Sequence, residues 1–94
     1  MKEIDHKKYN KIMFEIQEEF FKATNNFSKF NSAHEGYAIL LEEVDELWEN
    51  VKLNQSDIYR KIDIKNEAIQ VATMAIRLIY DCCEGETRKY ILMS

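Results

Sequence analysis

The strongest structural signal in the chain lies in residues 37–51, which read YAILLEEVDELWENV. Its apolar residues are Tyr37, Leu40, Leu41, Val44, Leu47, Trp48 and Val51. When each residue advances about 100° around a helix axis, these side chains fall within a sector of about 120°. The segment is therefore predicted to be an amphipathic helix. The sequence SAHE at 32–35 has the pattern of a capping box, which places the helix start at Ala33.

Two further helices are predicted on either side of this segment. Upstream, apolar residues from Tyr9 to Phe20 recur at helical spacing, which predicts a helix from about Asp5 to Lys22, and the turn-forming residues 24–31 then predict a loop. Downstream, a helix is predicted from about Ile58 to Cys83. Because this third helix is apolar over most of its circumference, we expect it at the centre of a bundle or at a subunit interface. Residues 86–94 are expected to form a short final helix or an arm.

The composition favours a small all-α protein. The chain has 94 residues, no proline and only two glycines, so it lacks the residues that usually mark β-turns. We expect a single domain over residues 1–94, folded as an antiparallel helical bundle of about four helices. A chain of this length buries only about 60 to 68% of its unfolded surface. With 46% hydrophobic residues, the bundle is expected to be completed by oligomerisation.

Charge and hydropathy exclude several classes of protein. The net charge is −4 with acidic and basic residues interleaved, which argues against a dedicated nucleic-acid surface. No apolar run approaches the roughly 20 residues that span a membrane, and residues 1–8 have no signal-peptide core. Cys82 and Cys83 are adjacent and lack the spaced partners of a zinc site. A cytoplasmic location without membrane association is expected.

Three glutamates are candidates for a metal site. On the helical wheel Glu43 lies at the edge of the apolar sector of the second helix and Glu46 about 60° further round. In an antiparallel pairing with a turn near residue 55, Glu43 and Glu67 each lie about 18 Å from the turn and Glu46 about 13 Å, so the three side chains can converge. Such an oxygen-rich cluster suits Mg²⁺, or Mn²⁺ as the alternative. The competing interpretation is a solvated acidic face, which we expect for Glu42, Asp45 and Glu49.

The same residues carry a resemblance to a known family. Residues 32–48, followed by 67–72, resemble the MazG-like branch of the all-α nucleoside triphosphate pyrophosphohydrolases. Members of that superfamily carry an ExxE pair on one helix and an ExxD pair on the next. Glu43 and Glu46 match the first pair, and Glu67 matches the start of the second. Gln70 stands where the family has aspartate, and it brings no negative charge.

The resemblance implies Mg²⁺-dependent hydrolysis of a nucleoside or deoxynucleoside triphosphate to the monophosphate and pyrophosphate by a homodimer or homotetramer. Glu43, Glu46 and Glu67 would bind the metal, and Glu46 and Gln70 would be the catalytic residues that position the attacking water. Arg77, about two turns beyond Gln70, is a candidate phosphate contact, the alternative being a solvent-exposed helix charge.

Other interpretations stay open at this point. Phe20, Phe21, Phe27 and Phe30 around the first loop either stack on a base or simply close the core. Tyr37 and Trp48 are expected to be core or interface anchors. The whole chain is alternatively a non-catalytic relative that binds nucleotide or metal, or a helical protein-interaction module.

Overall fold

The computed structural model describes residues 2–53 and 58–85, and this part of the chain is all-helical. It contains three helices: α1 (His6–Asn26), α2 (Ala33–Val51) and α3 (Ile58–Cys82). No strand occurs within the described ranges, so the predicted all-α class is confirmed there. The predicted fourth segment, 86–94, falls outside the described residues. None of the described helices is both long and apolar enough to cross a membrane.

Helix α1 continues to Asn26, so the prediction that it ends near Lys22 was wrong. The hydroxyl of Thr24 donates a hydrogen bond of 2.8 Å to the carbonyl oxygen of Phe20, one turn earlier. A threonine that bonds in this way is tolerated inside a helix, although the residue type favours turns. Phe20 and Phe21 lie within α1, as the predicted range from Asp5 to Lys22 already implied.

Helix α2 begins at Ala33, as the capping pattern predicts. The Ser32 hydroxyl accepts a hydrogen bond of 3.1 Å from the backbone N–H of Glu35. The Glu35 carboxylate reaches back to Asn31, where it accepts from the backbone N–H at 3.3 Å and from the side-chain amide at 3.1 Å. The return bond thus reaches one residue further upstream than in a standard capping box, and it holds the connection between α1 and α2.

Helix α3 is the central element, in agreement with its apolar circumference. Both α1 and α2 pack on it and, within the described ranges, not on each other. Along the seam between α1 and α3, Lys65 bonds Glu15 and Gln70 bonds Glu19. Because the paired residue numbers rise together, α1 and α3 run in the same direction.

Helix α2 runs antiparallel to α3 and approaches it closely at Gly36. A Cβ atom at this glycine would lie only 2.6 Å from a methyl carbon of Leu78 and 3.0 Å from the ring of Phe30. Gly36 near the start of α2 therefore faces the end of α3, whereas Glu46 near the end of α2 meets Glu67. Consecutive helices alternate in direction, as expected for an antiparallel bundle.

The core of the described part is small. Its buried side chains are Ile16, Ala23, Phe30, Thr73, Met74 and Arg77. In contrast, much of the apolar stripe of α2 faces outward, with Tyr37 60% and Trp48 57% exposed. Neither aromatic residue is a core anchor in this chain, because α3 covers the flank of α2 that carries Gly36 and Glu43, and Tyr37 and Trp48 lie outside it.

Candidate functional site

Three carboxylates converge where α2 and α3 meet. Glu43 and Glu46 lie one turn apart on α2, and Glu67 projects from α3. One oxygen of each side chain lies within 4.8 Å of the others. Glu43 and Glu67 are half-buried and Glu46 is exposed, so the cluster is closed on one side and open to solvent on the other.

No cationic side chain in the described ranges neutralises this cluster. None of the salt bridges of residues 2–53 and 58–85 includes any of the three glutamates. Two basic residues early in α3 are paired elsewhere, Arg60 with Asp63 at 3.5 Å and Lys65 with Glu15 at 2.8 Å. The cluster is therefore not a network of ion pairs that serves only to hold the helices together.

The electrostatics of the cluster favour a bound proton or a bound cation. Burial, followed by the charges of Glu46 and Glu67, raises the pKa of Glu43 from 4.5 to about 7. The pKa of Glu67 is also raised, again by burial first and by Glu46 second. In addition, the Oε2 atom of Glu67 is buried and has no hydrogen-bond partner in the described part of the chain. A buried carboxylate oxygen without a partner is costly, and a cation would remove that cost.

The geometry fits a small divalent ion. Around an ion with ligands at about 2.1 Å, the ligand oxygens are separated by about 3.0 to 4.2 Å in an octahedron. The three oxygens lie within 4.8 Å, so small rotations of the side chains bring them to bonding distance. An all-oxygen set is the type that Mg²⁺ and Mn²⁺ prefer, and three protein ligands leave positions for water and phosphate.

The cluster borders a pocket of about 470 Å³. Its lining includes Phe27 and Phe30 from the connection after α1, Glu43 from α2, and Gln70 and Arg77 from α3. This volume lies within the range of about 300 to 1,000 Å³ that is usual for small-molecule sites. Of the three metal candidates, Glu43 therefore lines the same cavity as Gln70 and Arg77, whereas Glu46 and Glu67 are not among its lining residues.

Gln70 is tied to α1. Its side-chain amide nitrogen donates a hydrogen bond of 2.8 Å to the carboxylate of Glu19. Glu19 cannot be recognised from the sequence, because nothing in the local pattern of α1 separates it from its neighbours Glu15 and Glu18. The contact depends on how α1 is rotated against α3.

Arg77 is only 5% exposed, so its interpretation as a solvent-exposed helix charge was wrong. Its Nη2 donates to the carbonyl oxygen of Ser28 at 2.8 Å, and its guanidinium lies 4.3 Å from the ring centre of Phe30. The connection after α1 folds over α3 and covers the side chain. Within the described ranges Arg77 has no carboxylate partner.

The remaining acidic candidates lie at the surface, and the four phenylalanines lie in two different places. Glu42, Asp45 and Glu49 are exposed, as expected for solvated surface, although Glu42 also reaches the pocket rim. Phe20 packs edge-on against Tyr80 and lines a different depression. Of the four phenylalanines considered for base stacking, Phe27 and Phe30 are the pair that lines the pocket of the acidic cluster.

The cavity is lined by the Glu43 carboxylate, the Gln70 amide and the Arg77 guanidinium, and two further carboxylates, Glu46 and Glu67, lie beside Glu43. Such a combination can bind a divalent cation together with an anionic ligand and position a water molecule beside them. Comparison with protein families, curated proteins and solved structures finds no match to this chain, so any functional assignment rests on its own residues.

Proposed function

We propose that this chain hydrolyses a nucleoside or deoxynucleoside triphosphate to the monophosphate and pyrophosphate, with Mg²⁺ or Mn²⁺ as cofactor. The observation that carries the proposal is the cluster of Glu43, Glu46 and Glu67, which gathers within 4.8 Å beside a pocket and has no cationic partner in the described ranges. The resemblance of residues 32–48 and 67–72 to the MazG-like pyrophosphohydrolases supports the substrate class.

In this proposal the three glutamates are the metal ligands. When bound there, Mg²⁺ would neutralise phosphate charge and would lower the pKa of a coordinated water. Glu46 is the most exposed of the three glutamates, which supports a role in holding the attacking water from the solvent side. The carbonyl oxygen of Gln70 can accept a hydrogen bond from the same water, although it adds no negative charge.

Arg77 is proposed to bind a substrate phosphate. A buried guanidinium without a carboxylate partner is costly, and an anion in the adjoining pocket would compensate the charge. Its planar fork of donors suits phosphate oxygens. Two of its nitrogens already bond Ser28 and Met74, and this fixes the orientation of the side chain before any ligand arrives.

Thermal melting followed by an activity assay tests the proposal. Because a ligand that binds only the folded state stabilises it, Mg²⁺ with a nucleoside triphosphate should raise the melting temperature. Pyrophosphate release should then fall in Glu46→Gln and rise in Gln70→Asp, which restores the missing charge. No melting shift with any nucleotide, or equal rates in all three proteins, would refute the proposed activity.

The second candidate function is that of a non-catalytic relative that binds nucleotide or metal. Gln70 favours it, because an amide brings no negative charge to the metal where an aspartate would. In that case Mg²⁺ and nucleotide would raise the melting temperature, but pyrophosphate release would stay at the level of Glu46→Gln. Glutamate ligands and binding would be retained, and only turnover would be missing.

We also propose that the chain functions as a homodimer or homotetramer in the cytoplasm. The exposed stripe of α2 around Tyr37, Leu41 and Trp48 supplies apolar surface for self-association. Light scattering should give the mass of two or four chains, and a mass of 11.2 kDa would refute self-association.

The proposed cytoplasmic location is supported by the cysteines. Cys82 and Cys83 are both free thiols, as in a reducing compartment.

A further inference from the structure

The side chain of Gln70 connects two surfaces of the molecule. On one side it lines the pocket shared with Glu43 and Arg77. On the other it borders a depression between α1 and α3, where its amide nitrogen donates to Glu19 at 2.8 Å. Within the described ranges this is the one hydrogen bond of the Gln70 side chain. Glu19 is therefore the polar anchor that holds the amide in place.

This bond decides which end of the amide is free. A carboxylate can only accept hydrogen bonds, so Glu19 binds the NH₂ group of Gln70 and cannot bind its carbonyl oxygen. A rotation of 180° about the last side-chain bond would exchange the two ends, and it would bring two oxygens together at Glu19. The carboxylate therefore selects one orientation on chemical grounds alone.

We propose that Glu19 is a positioning residue for the metal site: by holding the NH₂ group of Gln70, it presents the Gln70 carbonyl oxygen to the pocket as a ligand for the cation or its bound water. This inference rests on the proposed metal-dependent function and deepens it. Hard cations bind oxygen, whereas an NH₂ group directed at the cation would repel it.

The need for a positioning partner follows from the residue type. The two oxygens of an aspartate carboxylate are equivalent, so either orientation presents a ligand. A glutamine presents a ligand in only one of two orientations. A site with glutamine at position 70 therefore depends on a neighbour that accepts a hydrogen bond from the amide nitrogen. Glu19, on a separate helix, is that neighbour.

The affinity for Mn²⁺, measured by electron paramagnetic resonance, tests this role. Glu19→Ala should weaken Mn²⁺ binding by about 10 to 100-fold, the range seen when a group that orients a metal ligand is lost. Glu19→Gln retains a carbonyl acceptor and should stay close to wild type. The matched control is Glu18→Ala, an exposed neighbour that borders the same depression without bonding Gln70, and it should leave the affinity unchanged.

A second substitution separates positioning from a general loss of structure. Because an aspartate needs no orientation, Gln70→Asp should restore Mn²⁺ binding to the Glu19→Ala protein, giving the same affinity as Gln70→Asp alone. A protein that merely folds poorly without Glu19 would not be rescued in this way. In ¹⁵N spectra, the side-chain NH₂ resonances of Gln70 should also shift in Glu19→Ala without added metal.

The possible outcomes distinguish this inference from the function on which it rests. Wild-type affinity in Glu19→Ala would overturn the positioning role and leave the metal site standing. So would a failed rescue by Gln70→Asp, or a Glu19→Gln protein as weak as Glu19→Ala, since the charge of Glu19 would then matter more than its acceptor. Absence of Mn²⁺ binding by the wild-type protein would overturn the proposed metal site itself.

Discussion

The glutamates in the two seams along α3 have opposite neighbours and opposite pKa shifts. Between α1 and α3, Glu15 lies between Lys65 at 2.8 Å and Lys11 at 3.4 Å. The hydrogen bond from Lys65 is the main reason that the pKa of Glu15 lies below its usual value. Between α2 and α3, Glu43 lies against other carboxylates, and burial is the main reason that its pKa rises to about 7. The neighbours and the solvent exposure, and not the residue type, determine the charge state.

The difference separates a structural seam from a candidate site. In an exposed ion pair such as Glu15 with Lys65, each charge is already neutralised by its partner, and the pair adds little to stability. The cluster of Glu43, Glu46 and Glu67 lacks a positive partner in the described ranges, so it gains most from a ligand that brings one. Substitutions in the two seams should therefore have effects of different kind and size.

The largest effect is expected from Glu46→Gln. Loss of a direct metal ligand should lower Mn²⁺ affinity and pyrophosphate release by at least about 100-fold, more than the loss of an outer-shell partner. Isothermal titration calorimetry and a pyrophosphate assay measure the two quantities. Glu15→Gln, on the other seam, is the control and should bind and turn over like wild type. Equal losses in both variants would remove the distinction between the seams.

The second effect is a dependence of stability on pH. Because the pKa of Glu43 in the folded state is about 7 and its ordinary value is 4.5, the folded protein holds more protons than the unfolded chain between these values. The stabilising effect of protonation is complete below about pH 4.5 and is lost as the pH rises through about 7.

We therefore expect the melting temperature without metal to fall between pH 5 and pH 8. The stabilisation by Mg²⁺ should grow over the same range, because the metal binds the deprotonated ligands. Because the pKa of Glu15 is lowered, its protonation changes the stability only near and below pH 4.5. This ion pair therefore adds nothing to the pH dependence of the melting temperature at neutral pH. A wild-type melting temperature that is flat from pH 5 to 8, or a Glu43→Gln protein with an unchanged slope, would contradict the assignment.

A smaller effect is expected from Glu43→Gln in the absence of metal. Removing one of three mutually repelling carboxylates should raise the melting temperature at pH 8 by about 2 to 4 °C, which corresponds to about 0.5 kcal/mol for a domain of this size. The same variant should lose the stabilisation by Mg²⁺. A lower melting temperature without metal would show that the cluster stabilises the fold by itself.

The smallest effect is expected from Lys65→Ala. Its ion pair with Glu15 is solvent-exposed, so the melting temperature should change by less than about 2 °C and Mn²⁺ affinity should not change. Differential scanning fluorimetry with and without Mn²⁺ measures both. A loss of metal binding here would show that the seam between α1 and α3 supports the site through more than the hydrogen bond from Gln70 to Glu19.

Local pattern was sufficient for much of the fold. The start of α2 at Ala33 follows from the capping residues, and the central place of α3 follows from its apolar circumference. The meeting of Glu43, Glu46 and Glu67 follows from the fixed rise per residue in two antiparallel helices. The end of α1 was placed too early, because the propensity of Thr24 for turns was outweighed by its hydrogen bond within the helix.

The sequence thus specified which faces of the helices are apolar, where two of them begin and which carboxylates share a level on α2 and α3. It did not specify that lysine neutralises Glu15, that Glu19 holds Gln70 or that Arg77 is buried beneath the connection after α1. Spacing along one helix follows from a repeat of 3.6 residues. Contacts between residues about 50 positions apart depend on how the helices rotate and pack, so they emerge only when the chain is folded.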